Sequence, residues 1–158
     1  MKELAIMKKE TILKLICGII AALFFYAAFS KLTDYDKSVG EMRNQVFPLA
    51  IANILTWLVP SIEIAITFLL LFSGTRKLAL WASLFLLTAF TLYISTLMTG
   101  IFGRMPCSCG GILKNMSYTT HLMLNLFFIV LATLGILIHK GSVSINRFFN
   151  LKNRKELA

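Results

Sequence analysis

Charge is scarce in this chain. Only 15% of its 158 residues are Asp, Glu, Lys or Arg, and the acidic residues are the fewer, seven against sixteen basic. A soluble domain carries a far larger polar share, so a water-exposed globule is set aside first. The remaining charge clusters at a few places, beside apolar runs rather than among exposed aromatics. The net charge of +9 therefore does not mark a nucleic-acid binder. Basic residues so placed anchor helices and touch anionic lipid. Strand-like alternation is missing, which excludes a membrane β-barrel. A Gly-rich phosphate loop, His-Glu-x-x-His and Gly-x-Ser-x-Gly are missing too. With so little mass outside the apolar runs, catalysis of the soluble-enzyme type is not expected. No internal repeat and no low-complexity segment divides the chain.

What is present is apolar, 58% of the residues, with a mean hydropathy of +0.79. Four runs are long enough to span a bilayer, which takes about 20 helical residues. They cover about 11–30, 48–73, 78–103 and 119–139, the second interrupted only by Glu63 and the third free of charge. The expected fold is all-α: an integral membrane four-helix bundle forming a single transmembrane domain over 1–158. A loop over 104–118 and a basic tail over 140–158 complete it. The first run has features of a signal peptide, with Lys2, Lys8, Lys9 and Lys14 before it and Ala27-Ala28-Phe29-Ser30 at its end. Its core is long for a cleaved signal and three more spans follow, so an uncleaved anchor is expected.

Positive charge near helix ends sets orientation. The N-terminal arm, the Arg76-Lys77 connector and the tail from Lys140 together carry eleven basic residues. The other side carries five: Lys31, Lys37, Arg43, Arg104 and Lys114. Both termini are therefore expected in the cytoplasm of a bacterium, with the molecule in the inner membrane and the last loop facing the periplasm, where disulfides form and persist. The first connector is polar and charge-balanced, long enough for a short amphipathic helix on the membrane surface. Gly74-Thr75-Arg76-Lys77 reads as a tight turn between antiparallel neighbours.

Cys107-Ser108-Cys109-Gly110-Gly111 in that last loop is the most chemically loaded stretch. A disulfide across Cys-x-Cys closes a very small ring and is expected to be strained and labile. Gly110 and Gly111 leave the sulfurs open to a partner. Arg104, Lys114 and the start of the fourth helix favour a thiolate. Three uses fit the pair: thiol–disulfide exchange, an inert clip, or a soft metal. Copper(I) would find thioethers in Met98, Met105 and Met116 and an imidazole in His121. Cys17, toward the other end of the first helix, is expected to be a small buried apolar residue that pairs with neither.

Glu63 is the second feature, because a bare carboxylate inside a span is costly. Lys31 is the natural counter-ion, and Tyr26, Trp57 and Asn53 are candidate hydrogen-bond donors. A structural pair that fixes helix register and a proton or quinone site both fit. His121 and Asn125, one turn apart, share a face of the fourth span. They are candidates to line a pocket beneath the cysteines.

Ser30-Lys31-Leu32, Pro60-Ser61-Ile62-Glu63, Pro106-Cys107-Ser108-Cys109-Gly110 and Ser117-Tyr118-Thr119, set on four spans, resemble the MauE branch of the DoxX-like membrane proteins. The resemblance covers nearly the whole chain; the common family form has Phe after the second Cys, where Gly110 stands here. It implies a four-span helical protein that helps form or protect disulfides of other proteins beside a thioredoxin-like partner. It also implies a redox-associated role for Cys107 and Cys109. The expectation is thus a membrane thiol–disulfide protein, with Cys107 and Cys109 as the couple. Arg104, Glu63, Lys31, His121 and Asn125 surround it, and a quinone is a candidate electron acceptor. A non-enzymatic subunit or chaperone and a copper-handling protein are the alternatives.

Overall fold

A computed structural model describes residues 2–102 and 117–156, with side chains for 7–102 and 117–140. The described residues form five helices: α1 (Lys2–Thr33), α2 (Tyr35–Arg43), α3 (Leu49–Leu71), α4 (Arg76–Met98) and α5 (Tyr118–Glu156). Four segments are long and apolar enough to cross a membrane: Met7–Thr33, Leu49–Leu71, Arg76–Met98 and Tyr118–Lys140. No strand occurs among the described residues. The four-span helical reading therefore holds, and α2 is the short helix expected in the first connector. The spans run further at both ends of the chain than their apolar runs. The first helix starts at Lys2, and the last continues unbroken past Lys140 to Glu156.

The bundle is built around α1, which packs against α3 and α5, while α4 closes the ring against α5 and α3. The reason lies in the spacing of its buried residues. Leu13, Ile16, Ile20, Phe24 and Ala28 recur at intervals of three and four, which puts them on one stripe of a helix. Ile66 and Leu70 of α3, Leu80 and Leu87 of α4, and Phe128, Ala132 and Ile136 of α5 meet that stripe. The large outward side chains are apolar too, among them Phe25, Phe29, Phe68, Phe85 and Phe127. A protein apolar on both sides of its helices is solvated by lipid, not water.

Small residues set the closest approach, as between membrane helices generally. A Cβ added at Gly135 would lie 3.1 Å from Leu80 Cδ2 and 3.2 Å from Ile16 Cγ2. Hydroxyls inside the spans turn back on their own helix. Thr56, Thr67, Ser83, Thr88 and Thr91 each donate to the carbonyl four residues earlier, at 2.7–2.9 Å. No polar hydroxyl of this set is left bare in hydrocarbon.

The turn between α3 and α4 is tight, as its sequence indicates. Thr75 donates its backbone N–H to Phe72 O and its hydroxyl to Leu69 O at 2.7 Å. At the same end Arg76 approaches Glu10 of α1 at 3.9 Å. Gly100 ends the α4 segment at φ +74, a left-handed conformation open to glycine, and bonds back to Leu97 O at 3.1 Å.

Candidate functional site

Lys31 and Glu63 form the ion pair that a carboxylate inside an apolar span and a lysine at the end of the first one imply. Lys31 Nζ donates to Glu63 Oε1 at 2.9 Å and to Oε2 at 3.0 Å. It also donates to Ala27 O at 3.2 Å, so all three ammonium protons are placed. The bond to Ala27 shows how Lys31, near the end of α1, reaches inward. Helical side chains lean toward the N-terminus, and this one folds back a full turn. The Glu63 side chain is only 2% exposed and that of Lys31 20%, so the pair is shielded from solvent on the glutamate side.

Two other contacts fix the register of the helices around the pair. Thr67 Oγ1 lies 3.5 Å from Ala21 O, which aligns α3 antiparallel on α1. Gly135 packs on Ile16, which aligns α5. At 1.5 Å per residue, Glu63 then stands at about the level of Phe25, and Asn125 at about the level of Tyr26. Both lie roughly 12 Å below the end of α1 at Thr33. His121, one turn above Asn125, is half-buried. Lys31, Glu63, His121 and Asn125 therefore occupy one depth zone, contributed by α1, α3 and α5. Asn125 is 6% exposed, and its Nδ2 finds no acceptor among the described residues.

Two of the donors assigned to Glu63 from sequence are engaged elsewhere. Asn53 Oδ1 accepts from Arg43 Nε at 3.1 Å. Trp57 is exposed, and its ring packs on Tyr35 at 4.8 Å. The cause is helical phase: six residues turn about 600°, so Trp57 points away from the Glu63 face. Tyr26 is half-buried on α1. Cys17 is buried and free, near the end marked by Arg76 and Glu10. It lies about 24 Å along α1 from Thr33.

A second polar cluster holds the first connector against α4, and nothing in its sequence announces it. Tyr93 donates its hydroxyl to Gln45 Oε1 at 2.6 Å, and Gln45 Nε2 donates to Glu41 O at 3.2 Å. Phe47 stacks on the Tyr93 ring at 5.1 Å. Ser38 donates to Lys31 O at 3.0 Å, which ties α2 to the end of α1. The ends of α1, α3 and α4 nearest the ion pair are thus clasped together.

Cys107, Cys109 and Arg104 lie outside the described residues, as do Met105, Lys114 and Met116. The segment carrying them joins the end of α4 to the start of α5. By that connectivity its two ends lie at the Lys31 end of the bundle. Among the described residues, no three His, Cys, Asp or Glu side chains gather in one metal-binding group.

Four apolar helices, a lipid-facing exterior and a buried ion pair between two of them define a multi-pass membrane protein of the four-helix type. A family model matches residues 9–138. The chain belongs to that family, described as the methylamine utilisation protein MauE. No curated protein and no solved structure matches it.

Proposed function

We propose that the protein carries out thiol–disulfide exchange at the outer face of a bacterial inner membrane, using Cys107 and Cys109. Its partner in this reading is a periplasmic thioredoxin-like protein or a cysteine-containing client. The observation that carries the proposal is the pairing of two thiols, one residue apart, in the connector between α4 and α5. A bond across so short a ring is strained, and strained disulfides exchange rather than brace. Family membership supports a membrane role but does not by itself specify the chemistry. Methylamine as a pathway is not part of the proposal.

In the exchange step, a client thiolate attacks one loop sulfur and the second leaves as thiolate. The client's other thiol then resolves the mixed disulfide, so the client ends oxidised and the loop pair reduced. Arg104 lowers the cost of the thiolate form by its charge. Both termini stand in the cytoplasm in this reading, as the eleven basic residues on that side require.

Trapping tests it. Cys109→Ser should accumulate a mixed disulfide between Cys107 and a periplasmic protein, visible on non-reducing gels. Replacing both Cys107 and Cys109 with Ser should abolish that adduct, and an undiminished adduct would end the proposal.

A further inference from the structure

We infer that Asn125, His121 and the Lys31–Glu63 pair form a binding site for the head group of a membrane-dissolved quinone. The inference rests on the exchange reading above and names the electron acceptor it requires. It starts from Asn125. That side chain is 6% exposed, and its Nδ2 meets no acceptor among the described residues. An amide N–H unmet in hydrocarbon is costly. The other wholly buried polar residues are served: Thr56, Thr67 and Ser83 by carbonyls, Glu63 by Lys31, and Gln45 by Tyr93; Arg76 Nε, at the opposite end of the bundle, is also unmet among the described residues. Lys31 in turn has no proton to spare, and both Glu63 oxygens already accept one. Asn125 is left as a donor with no acceptor among the described residues, open to a ligand that brings one.

Depth narrows the class. The amide stands about 12 Å below the outer end of α1, flanked on α5 by the lipid-exposed Leu126 and Phe127. A ligand that reaches it is soluble in lipid and presents a carbonyl oxygen. The redox balance narrows it again. Reoxidising the loop pair breaks two S–H bonds, forms one S–S bond and releases two electrons and two protons. A quinone takes up those two electrons and two protons and forms two O–H bonds, leaving as quinol. Asn125 would hold one carbonyl oxygen. His121, one turn nearer the outer end on the same face, would pass protons between surface and head group, while the fully bonded Lys31–Glu63 pair borders the site.

The full chain in lipid nanodiscs, titrated with decylubiquinone, tests the site by calorimetry. Saturable binding of about one quinone per chain is expected. Asn125→Leu, which removes one hydrogen bond from a water-poor site, should weaken it about tenfold. A flat titration, or equal binding by N125L, overturns the inference. A second measurement avoids any doubt about folding of the variant. Photolysis of an azide-bearing quinone on the unmodified protein should label α5 around Asn125 or the facing part of α1. Label confined to other segments overturns the site. Binding needs no thiol, so its failure beside intact mixed-disulfide trapping sinks this inference alone. Saturable binding beside lost trapping supports the site and sinks the exchange reading instead.

Discussion

Lys31 has three N–H groups, and all of them are committed: two to the Glu63 carboxylate and one to the Ala27 carbonyl. That saturation explains how an ammonium and a carboxylate coexist among apolar helices. Desolvating both is expensive, and only close geometry with further hydrogen bonds offsets it. The cost of losing one partner should therefore exceed the worth of the pair. Lys31→Met strands the Glu63 carboxylate and should destabilise the protein by about 3–5 kcal/mol. The double variant K31M/E63L replaces both charges with apolar groups of similar size and should recover most of that loss. Thermal unfolding in one detergent, read for both single variants and the double, completes the cycle. Additive losses would show that the two side chains do not act as a unit. Glu63 stands out in the sequence as a lone charge inside an apolar run, and Lys31 as a cation at the end of the neighbouring one. Their hydrogen-bond environment does not, since it depends on helical phase and on which carbonyl lies in reach. Asn53 and Trp57 are near Glu63 in sequence yet serve Arg43 and Tyr35.

At the level of elements, two glycines in membrane helices make opposite demands. Gly135 sits where α5 crosses α1 and α4, with Leu80 and Ile16 closing on its missing Cβ. Gly18 of α1 has nothing within 4 Å of the same position. Gly135→Leu should force the helices apart and destabilise the bundle by about 1–3 kcal/mol, the usual range for overpacking. Gly18→Ala should be neutral or stabilising by up to about 1 kcal/mol, because alanine stiffens the unfolded chain without meeting a neighbour. Melting curves of the two variants under matched conditions decide it, and equal shifts would deny the crossing its role. The connector clasp is a third case. Tyr93→Phe removes the 2.6 Å hydrogen bond to Oε1 of Gln45, a side chain 4% exposed. A loss of about 0.5–1.5 kcal/mol is expected, the net worth of one hydrogen bond, and an unchanged melting temperature would dismiss the clasp. The spans were legible because some 20 apolar residues in a row have few other uses. The clasp and the Gly135 crossing were not, because each joins residues far apart in the chain whose types are ordinary. The last helix also outran its apolar run, since the tail holds no proline and Gly141 alone does not stop it before Glu156.

For the molecule as a whole, orientation ties the bundle to its chemistry. One end gathers the N-terminal arm, the Arg76–Glu10 contact and the start of the basic tail; the other gathers α2, the Gln45–Tyr93 clasp and both ends of the cysteine-bearing segment. In the proposed orientation the first end faces the cytoplasm, as a bias of eleven basic residues against five favours. A bond across Cys107 and Cys109 persists only if the second end meets an oxidising compartment. The two requirements agree, and one experiment tests both. After mild reduction of intact spheroplasts, a membrane-impermeant maleimide should label the chain, and Cys107→Ser together with Cys109→Ser should remove the signal. Cys17 is buried in the core and should add no background. A cysteine placed at Ser142 should react only after the membrane is permeabilised. Labelling of Ser142→Cys in intact cells, with the loop protected, would invert the bundle. The cysteine pair would then face a reducing compartment that keeps thiols apart, and exchange with a periplasmic partner would be impossible on geometry alone.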